Sequence, residues 1–548
     1  MNKKLILIIT FVSMLILFFA AENSLAYFQP EVYRRSLLEI RDAERSLKNL
    51  EDNLKQAEDN FRIIPEAEIN FQLKKLNEHY QKLLQEYRNG NDLKVQQIAE
   101  NIVSMGNEVS LKTIESKPVQ MRAFWLDSGT FARTGGRSGV QKLLDLAEKA
   151  NFNLIFPEIF YKGITVIPDN ELFTQDPRFE SWEEDPLTIL IEEAEKRDIE
   201  VHPWVWVFNE NTSGNLGRIL SEHPEWANKN KDGEIVSYHN STWLSPARED
   251  VKNYLQSRYK YLVENYDIQG INLDYIRFPE EYRGSFGYDQ KSVEKFIEIY
   301  NIDPFTIKKG SQEFALWNKY RENLITEMVK EVSRILKAID PDLLISADVI
   351  PGIEEARYRA LQNWSLWLQK DYLDFVIPMS YTENLFWELR SWIEEDRGKI
   401  NKPLYAGISV FKLTSDQVIE QLQEINQINP NGVSLFAAAH LKDSDYHSLA
   451  NGIFSEPALL AHKNKKESLR AMQDFILKRL NMIQEAEKIT NSNLIKIRGY
   501  LNQIISNEAG NNNDFTQFIK ENNIKLSQEI KNILEADFNY LDDIITFY

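Results

Sequence analysis

Gly270–Pro279 reads GINLDYIRFP, an apolar run that closes on an aspartate and an arginine. Gly270 to Leu273 suit a strand buried on both faces, and the run continues past Asp274 into Tyr275 and Ile276. Asp274 is therefore expected on the strand and pointing inward. A carboxylate placed there is costly unless it is paired or used. Arg277, three residues on, is the candidate partner. Such a pair would hold Asp274 ionised.

Seven more runs share this character: MRAFWLD from Met121, NLIFPEI from Asn153, EVHPWVWVF from Glu200, LLISADVI from Leu343, DFVIPMSY from Asp374, PLYAGISV from Pro403 and GVSLFAAAH from Gly432. Amphipathic stretches such as VQKLLDLAEKA and SDQVIEQLQEI lie between them. Apolar strands alternating with helices imply a parallel sheet covered on both faces. Eight such units with long insertions suit a closed (β/α)8 barrel of the TIM type over residues 119–455, and an open doubly wound sheet is the alternative. No phosphate-cradling glycine motif follows any strand, which removes the commonest reason for the open sheet.

The flanks are helical. Leu47, Leu50, Leu54, Ala57, Phe61 and Ile64 follow a heptad spacing, and Leu73, Leu76, Tyr80, Leu83 and Tyr87 repeat it after Pro65. Residues 31–117 are thus expected to form a two-helix hairpin or coiled coil that packs on itself or associates with a second copy or a partner. Helical composition returns over 457–548, with Met472, Ile476, Leu480 and Ile483 on one stripe and a loop from Asn507. At the N-terminus, Lys3 and Lys4 precede an uncharged run, Leu5–Ala21, and Ser24-Leu25-Ala26 offers a cleavage site. That is the grammar of a signal peptide over 1–26, cleaved or kept as a membrane anchor. The protein is expected to be exported, to the cell envelope or beyond it.

Composition narrows the chemistry. Of 548 residues, 64 are basic and 83 acidic, a net charge of −19, which argues against nucleic acid as a partner. There is no cysteine, so a thiol nucleophile, a disulfide scaffold and a zinc–thiolate site are excluded. The seven histidines include no H-x-x-x-H pair, and DSDYH from Asp443 suits a helix cap better than a metal. There is no G-x-S-x-G elbow either. No metal and no cofactor are expected.

Barrel chemistry sits at the C-terminal ends of the strands. Asp127, Glu158, Asp274 with Arg277, Asp348, Tyr381 with Glu383, and His440 fall at such ends, and His202, Trp204 and Trp206 lie on the third run. Bland roles exist for several: a loop cap for Asp127, a structural ion pair for Glu158, a turn for Asp348. Aromatics cluster with the carboxylates: Trp125, Tyr161, Trp204, Trp206, Trp243, Tyr275, Trp364, Tyr381 and Trp387. Core filling is the favoured reading for Trp206 and Trp364. A carboxylate-bearing cleft walled by rings suits a sugar polymer, whose C–H faces stack on aromatics and whose glycosidic bond is cut by two carboxyl groups.

MRAFWLDSG, FNLIFPEIFYKGITVIP, EVHPWVWVF, HPEWANKNKDGE, WLSPAREDVKNYL, GINLDYIRFP, FGYD and IPMSY occur in that order. Together they resemble the bacterial family-10-like glycosyl hydrolases, a (β/α)8-barrel family of largely exported proteins. The resemblance implies that Asp274 is catalytic and that His202, Trp204, Arg277 and Tyr381 bind substrate. The second carboxylate is assigned in the order Asp348, Glu158, Glu383, with Asp348 as general acid. Asp127, Tyr161, Tyr275, Glu383 and His440 complete the expected binding set. The expected function is hydrolysis of an envelope or extracellular polysaccharide. A catalytically idle glycan-binding or envelope scaffold is the rival reading, and a lyase or deacetylase a distant third.

Overall fold

A computed structural model describes residues 30–237, 239–280, 285–383, 390–428, 431–506 and 514–548. The expected signal segment 1–26, Trp387 and the loop residues 507–513 lie outside them. The chain divides into two compact units: residues up to Glu58 with Pro65–Thr113, and Asp59–Ile64 with Ile114–Tyr548. Among the described residues no helix is long and apolar enough to cross a membrane.

Among its described residues the first unit holds three helices, Pro30–Asp59, Glu66–Arg88 and Asp92–Leu111, not the two expected over 31–117. Leu47, Leu50, Leu54 and Ala57 are buried, as are Leu73, Leu76, Tyr80 and Leu83. The second break falls at Asn89-Gly90-Asn91. Gly90 takes φ +72°, a left-handed turn that glycine adopts without strain. Val95, Ala99, Ile102 and Val109 of the third helix are buried too.

The second unit is built on eight parallel strands: β1 Met121–Leu126, β2 Leu154–Tyr161, β3 Trp204–Trp206, β4 Gly270–Asp274, β5 Leu344–Val349, β6 Phe375–Pro378, β7 Tyr405–Ser409 and β8 Gly432–Phe436. Each pairs with the next in order from β1 to β6, and β7 pairs with β8. β8 returns to β1 with Met121 opposite Gly432. Bridges from Val376 to Leu404 and from Met379 to Gly407 join β6 to β7 and close the ring. β1, β2 and β4 are buried along their whole length, because side chains fill the barrel on one face and helices cover the other.

The run EVHPWVWVF is not one strand. Glu200–Val201 pair with the start of β2, and pairing resumes only at Trp204. Pro203 brings no N–H to the ladder, and His202 is left on the N-terminal side of β3.

The C-terminal helices Lys465–Glu485, Asn491–Ser506, Phe515–Glu521 and Gln528–Phe547 share one apolar core in which Met472, Ile476, Leu480 and Ile483 meet Leu534, Phe538 and Leu541. They dock at the N-terminal ends of the strands. The Tyr540 hydroxyl donates to the Val119 carbonyl at 2.6 Å, the Tyr405 and Tyr548 hydroxyls lie 2.6 Å apart, and His462 Nε2 lies 2.7 Å from Glu200 Oε2. These contacts cover the barrel floor.

Arg479 ties this bundle together. It is 3% exposed and donates to Asp537 at 2.6 Å, Glu115 at 2.9 Å and the Phe61 carbonyl at 2.7 Å. Arg479→Met would leave the buried Asp537 and the half-buried Glu115 with Lys117, 4.0 and 3.9 Å away, as their remaining cation, a cost of about 3 kcal/mol. A melting temperature lower by roughly 3 °C is the expected calorimetric result for a unit of this size; an unchanged one would remove Arg479 from this role.

After β3 a short antiparallel strand pair, Asn209–Asn211 with Thr242–Trp243, carries Glu210. Glu210 is 2% exposed and accepts the Ile219 N–H at 2.8 Å. Burial pushes its carboxyl up to about 8. An unfolded Glu ionises near 4.3, so the folded state holds a proton that the unfolded chain has lost, and stability falls as pH rises from about 4 to about 8. Glu210→Gln removes that loss. Its melting temperature should exceed the wild type's by about 3 °C or more at pH 9 and by little at pH 4. A gain equal at both pH values would show that Glu210 does not titrate in the folded protein.

Candidate active site

The β4–β5 register sets Leu273 opposite Ala347, so Asp274 and Asp348 stand one step further on, side by side on adjacent strands. Trp206 of β3 is the partner of Asp274 on its other side. Both aspartates line a cleft of about 960 Å³ at the C-terminal ends of the strands. Asp127, Glu158, Trp204, Trp206, Tyr275, Arg277 and Tyr381 line it as well.

Asp274 Oδ2 accepts the Trp204 indole N–H at 3.0 Å, and Oδ1 accepts the Tyr275 backbone N–H at 2.6 Å. The second bond follows from the backbone: Tyr275 has φ +52°, a left-handed conformation that costs an aromatic residue energy. Strain of this kind gathers where the chain must aim a functional group. The Tyr275 ring sits between Trp206, at 4.8 Å, and Trp243, at 5.7 Å.

Asp348 Oδ2 accepts the Trp125 indole N–H at 3.2 Å, so Trp125 reaches across the barrel from β1 to β5. Asp348 Oδ1 accepts from Asn272 Nδ2 at 3.2 Å. Burial pushes the Asp348 carboxyl well above the usual carboxylate range, and the adjacent Asp274 charge adds to the rise. Burial also raises Asp274, against the pull of the Arg277 guanidinium, the Tyr275 N–H and the Trp204 indole. Like charges this close do not both ionise readily, and the pair favours a single shared proton resting on Asp348.

Arg277 does not form the expected ion pair. Among the described residues no carboxylate lies within 4.0 Å of its guanidinium, which packs over the Tyr275 ring at 5.3 Å. It acts on Asp274 through space and does not hold that carboxyl below its ordinary value: desolvation of a buried group outweighs a cation that is not in contact.

Glu158 of β2 is a third carboxyl in the cleft. Its Oε2 accepts the Ser128 N–H at 2.9 Å, and burial raises its pKa. Asp127 lines the cleft and is also a cap, accepting from Thr130 N at 2.8 Å, Thr130 Oγ1 at 2.7 Å and Ala439 N at 3.1 Å.

Four residues expected at the mouth are absent from the cleft wall. His202 is fully buried toward the barrel floor, 3.3 Å from Glu200 Oε2. Its ring also explains Gly270, where any Cβ would collide with it. Tyr161 ends β2 beyond the barrel rim, in a tight hairpin with Ile164, and donates to Asp176 at 2.5 Å. Glu383 is exposed. His440 is exposed on the rim, its ring 5.6 Å from that of Phe411. Among the described residues no group of three or more His, Asp or Glu side chains is placed to hold a metal ion.

Several contributors are not announced by the sequence. Trp206, read as core filling, lines the cleft with its indole N–H unbonded among the described residues, whereas Trp364 is fully buried and bonded to the Ile350 carbonyl at 3.2 Å. Phe436 and Trp392 also form cleft wall. Asn272, two residues before Asp274 and so on the same strand face, could have been found by its period-two spacing.

Known proteins share this chain's pattern at low identity. The glycosyl hydrolase YngK of Bacillus subtilis is 21% identical over 394 residues, 62% of this chain and 73% of that protein. The glycosyl hydrolase DigH of Escherichia coli is 21% identical over 337 residues, 54% of this chain and 70% of that one. Among solved structures, the α-L-fucosidase isoenzyme 2 of Paenibacillus thiaminolyticus matches 62% of this chain and 49% of its own at a TM-score of 0.45 and 13% identity. The family model for glycosyl hydrolase-like 10 matches residues 120–424, more than half of the sequence, and the chain belongs to that family.

Proposed function

We propose that the protein is an exported glycoside hydrolase that cuts an envelope or extracellular polysaccharide with two carboxyl groups. The observation that carries this reading is the pair Asp274 and Asp348, adjacent at the floor of an aromatic-walled cleft, with Asp348 favoured as holder of the proton. Membership of a glycosyl hydrolase-like family supports carbohydrate as the partner. The N-terminal grammar of Lys3, Lys4 and Leu5–Ala21 supports export.

In this reading Asp348 gives its proton to the glycosidic oxygen as the C–O bond breaks, and Asp274 meets the positive charge on the anomeric carbon. The indole N–H of Trp204 and the N–H of Tyr275 keep the Asp274 carboxylate oriented. Trp206, Tyr381 and Phe436 offer ring faces to the sugar, and Arg277 offers donors to its oxygens. Adjacent parallel strands lie about 4.8 Å apart. That spacing suits the roughly 5 Å between the carboxyls of retaining enzymes better than the wider gap that admits a water. Asp274 then forms a glycosyl-enzyme, and ionised Asp348 activates the water that releases it.

The test is a panel of envelope and extracellular polysaccharides assayed for new reducing ends, with the first-formed anomer read by proton NMR. New ends with the substrate's anomeric configuration are expected. The opposite anomer would overturn retention. Tight binding without new ends across the panel would favour the idle glycan-binding scaffold.

A further inference from the structure

Asp348 is held by two side chains that behave differently. Trp125 can only donate. Asn272 can donate from Nδ2 or accept at Oδ1, and its Nδ2 now donates to Asp348 Oδ1 at 3.2 Å and to Ser346 Oγ at 3.1 Å. Its Oδ1 is buried and has no partner among the described residues. With a donor on each carboxyl oxygen, this arrangement suits the ionised form of Asp348. The neutral carboxyl must donate from one oxygen, and neither present contact can receive that proton.

We infer that Asn272 is a positioning residue whose side-chain amide turns over about its Cβ–Cγ bond as Asp348 gains and loses its proton. A half-turn puts Oδ1 where Nδ2 stands, within reach of Asp348 Oδ1 and Ser346 Oγ. The protonated carboxyl then donates to it. Ser346, whose hydroxyl now makes a long 3.4 Å bond to the Ile271 carbonyl, can turn to donate as well. Each orientation leaves one amide atom without a partner, so the two differ chiefly in which state of Asp348 they serve. An amide tuned this way stabilises the acid before proton transfer and the base after it, a role that rests on the hydrolase reading above.

The charged and titratable groups facing Asp348 are Asp274 from β4, Arg277 from the segment after it, and the Tyr381 hydroxyl from beyond β6. The Tyr275 hydroxyl also interacts with it electrostatically. Among the described residues, Trp125 and Asn272 are the side chains that hydrogen-bond to its carboxyl.

The experiment uses the full chain without any glycan, labelled with 15N-asparagine and, separately, with 13C-aspartate. Asn272→Leu identifies the Asn272 amide signal by its loss, and Asn272→Asp does the same should the leucine variant not fold. Between about pH 4 and about pH 10 the NOE from the Asn272 NH2 protons to the Ser346 β protons is expected to be present above the midpoint of the Asp348 carboxyl carbon, to be lost below it, and to become independent of pH in Asp348→Asn. An NOE that persists over that range, or one that is still lost in Asp348→Asn, overturns the inference. No substrate enters the measurement, so a protein that binds glycans without cutting them still reports on Asn272. A hydrolase with a fixed amide refutes this inference alone.

Discussion

Asp274→Asn lowers glycan cleavage by at least about a thousandfold while leaving glycan binding within about threefold of wild type. The size follows from the role: a nucleophile that works as a unit with its acid is not replaced by a neutral amide, and a thousandfold loss corresponds to about 4 kcal/mol of transition-state stabilisation. Binding survives because the rings of Trp206, Tyr381 and Phe436 and the donors of Arg277 are untouched. A second readout separates a lost function from a damaged fold. Asp274 is 5% exposed beside another buried carboxyl, so removing its charge should hold or raise the melting temperature. Cleavage above a tenth of the wild-type rate in a folded Asp274→Asn protein would end the assignment.

The barrel was legible because its evidence is local. Eight apolar runs bounded by amphipathic stretches carry the strand period and the helix period side by side, and a barrel strand falls on each of the eight, β2 running two residues past its own. The third helix of the N-terminal unit was missed because Asn89-Gly90-Asn91 is a short break inside otherwise helical sequence. At the site, a residue's place along a run decided how well it could be read. Asp274 is the last residue of its strand and Asp348 the last but one of its own, and both reach the cleft. His202 lies inside a run that is three times longer than the strand it contains, and Pro203 moves it to the wrong end. Tyr161 ends a strand that outruns the barrel. The hydrogen bond from Trp125 to Asp348 spans 223 residues of sequence, and nothing near either residue announces it. Arg277 shows a different limit. Its spacing suggested contact with Asp274, but the chain leaves the strand through the left-handed Tyr275, and the guanidinium comes to rest over that ring.

Asp348→Asn should divide substrates by their leaving groups. On a natural glycan, whose leaving oxygen needs a proton, the rate falls by about 10²–10⁴-fold. On an aryl glycoside with an acidic phenol, bond cleavage needs no acid, and release of the first equivalent of phenol stays within about tenfold of wild type. Turnover beyond that first equivalent stays slow, because water must then attack the glycosyl-enzyme without a base, so a burst equal to the enzyme concentration is expected. The pH profile gives an independent sign. Burial and the Asp274 charge raise the Asp348 pKa, so the wild-type rate on a natural glycan should fall on the alkaline side as that proton is lost. Asp348→Asn has no such proton, and its alkaline limb should disappear. Glu158 is the competing acid, since burial raises its carboxyl too and it lines the same cleft. Its variant Glu158→Gln should keep the alkaline limb and slow natural and activated substrates alike. If those two signatures are exchanged, with the burst and the lost limb belonging to Glu158→Gln, the proton comes from β2 and Asp348 serves only to hold Asp274 in place.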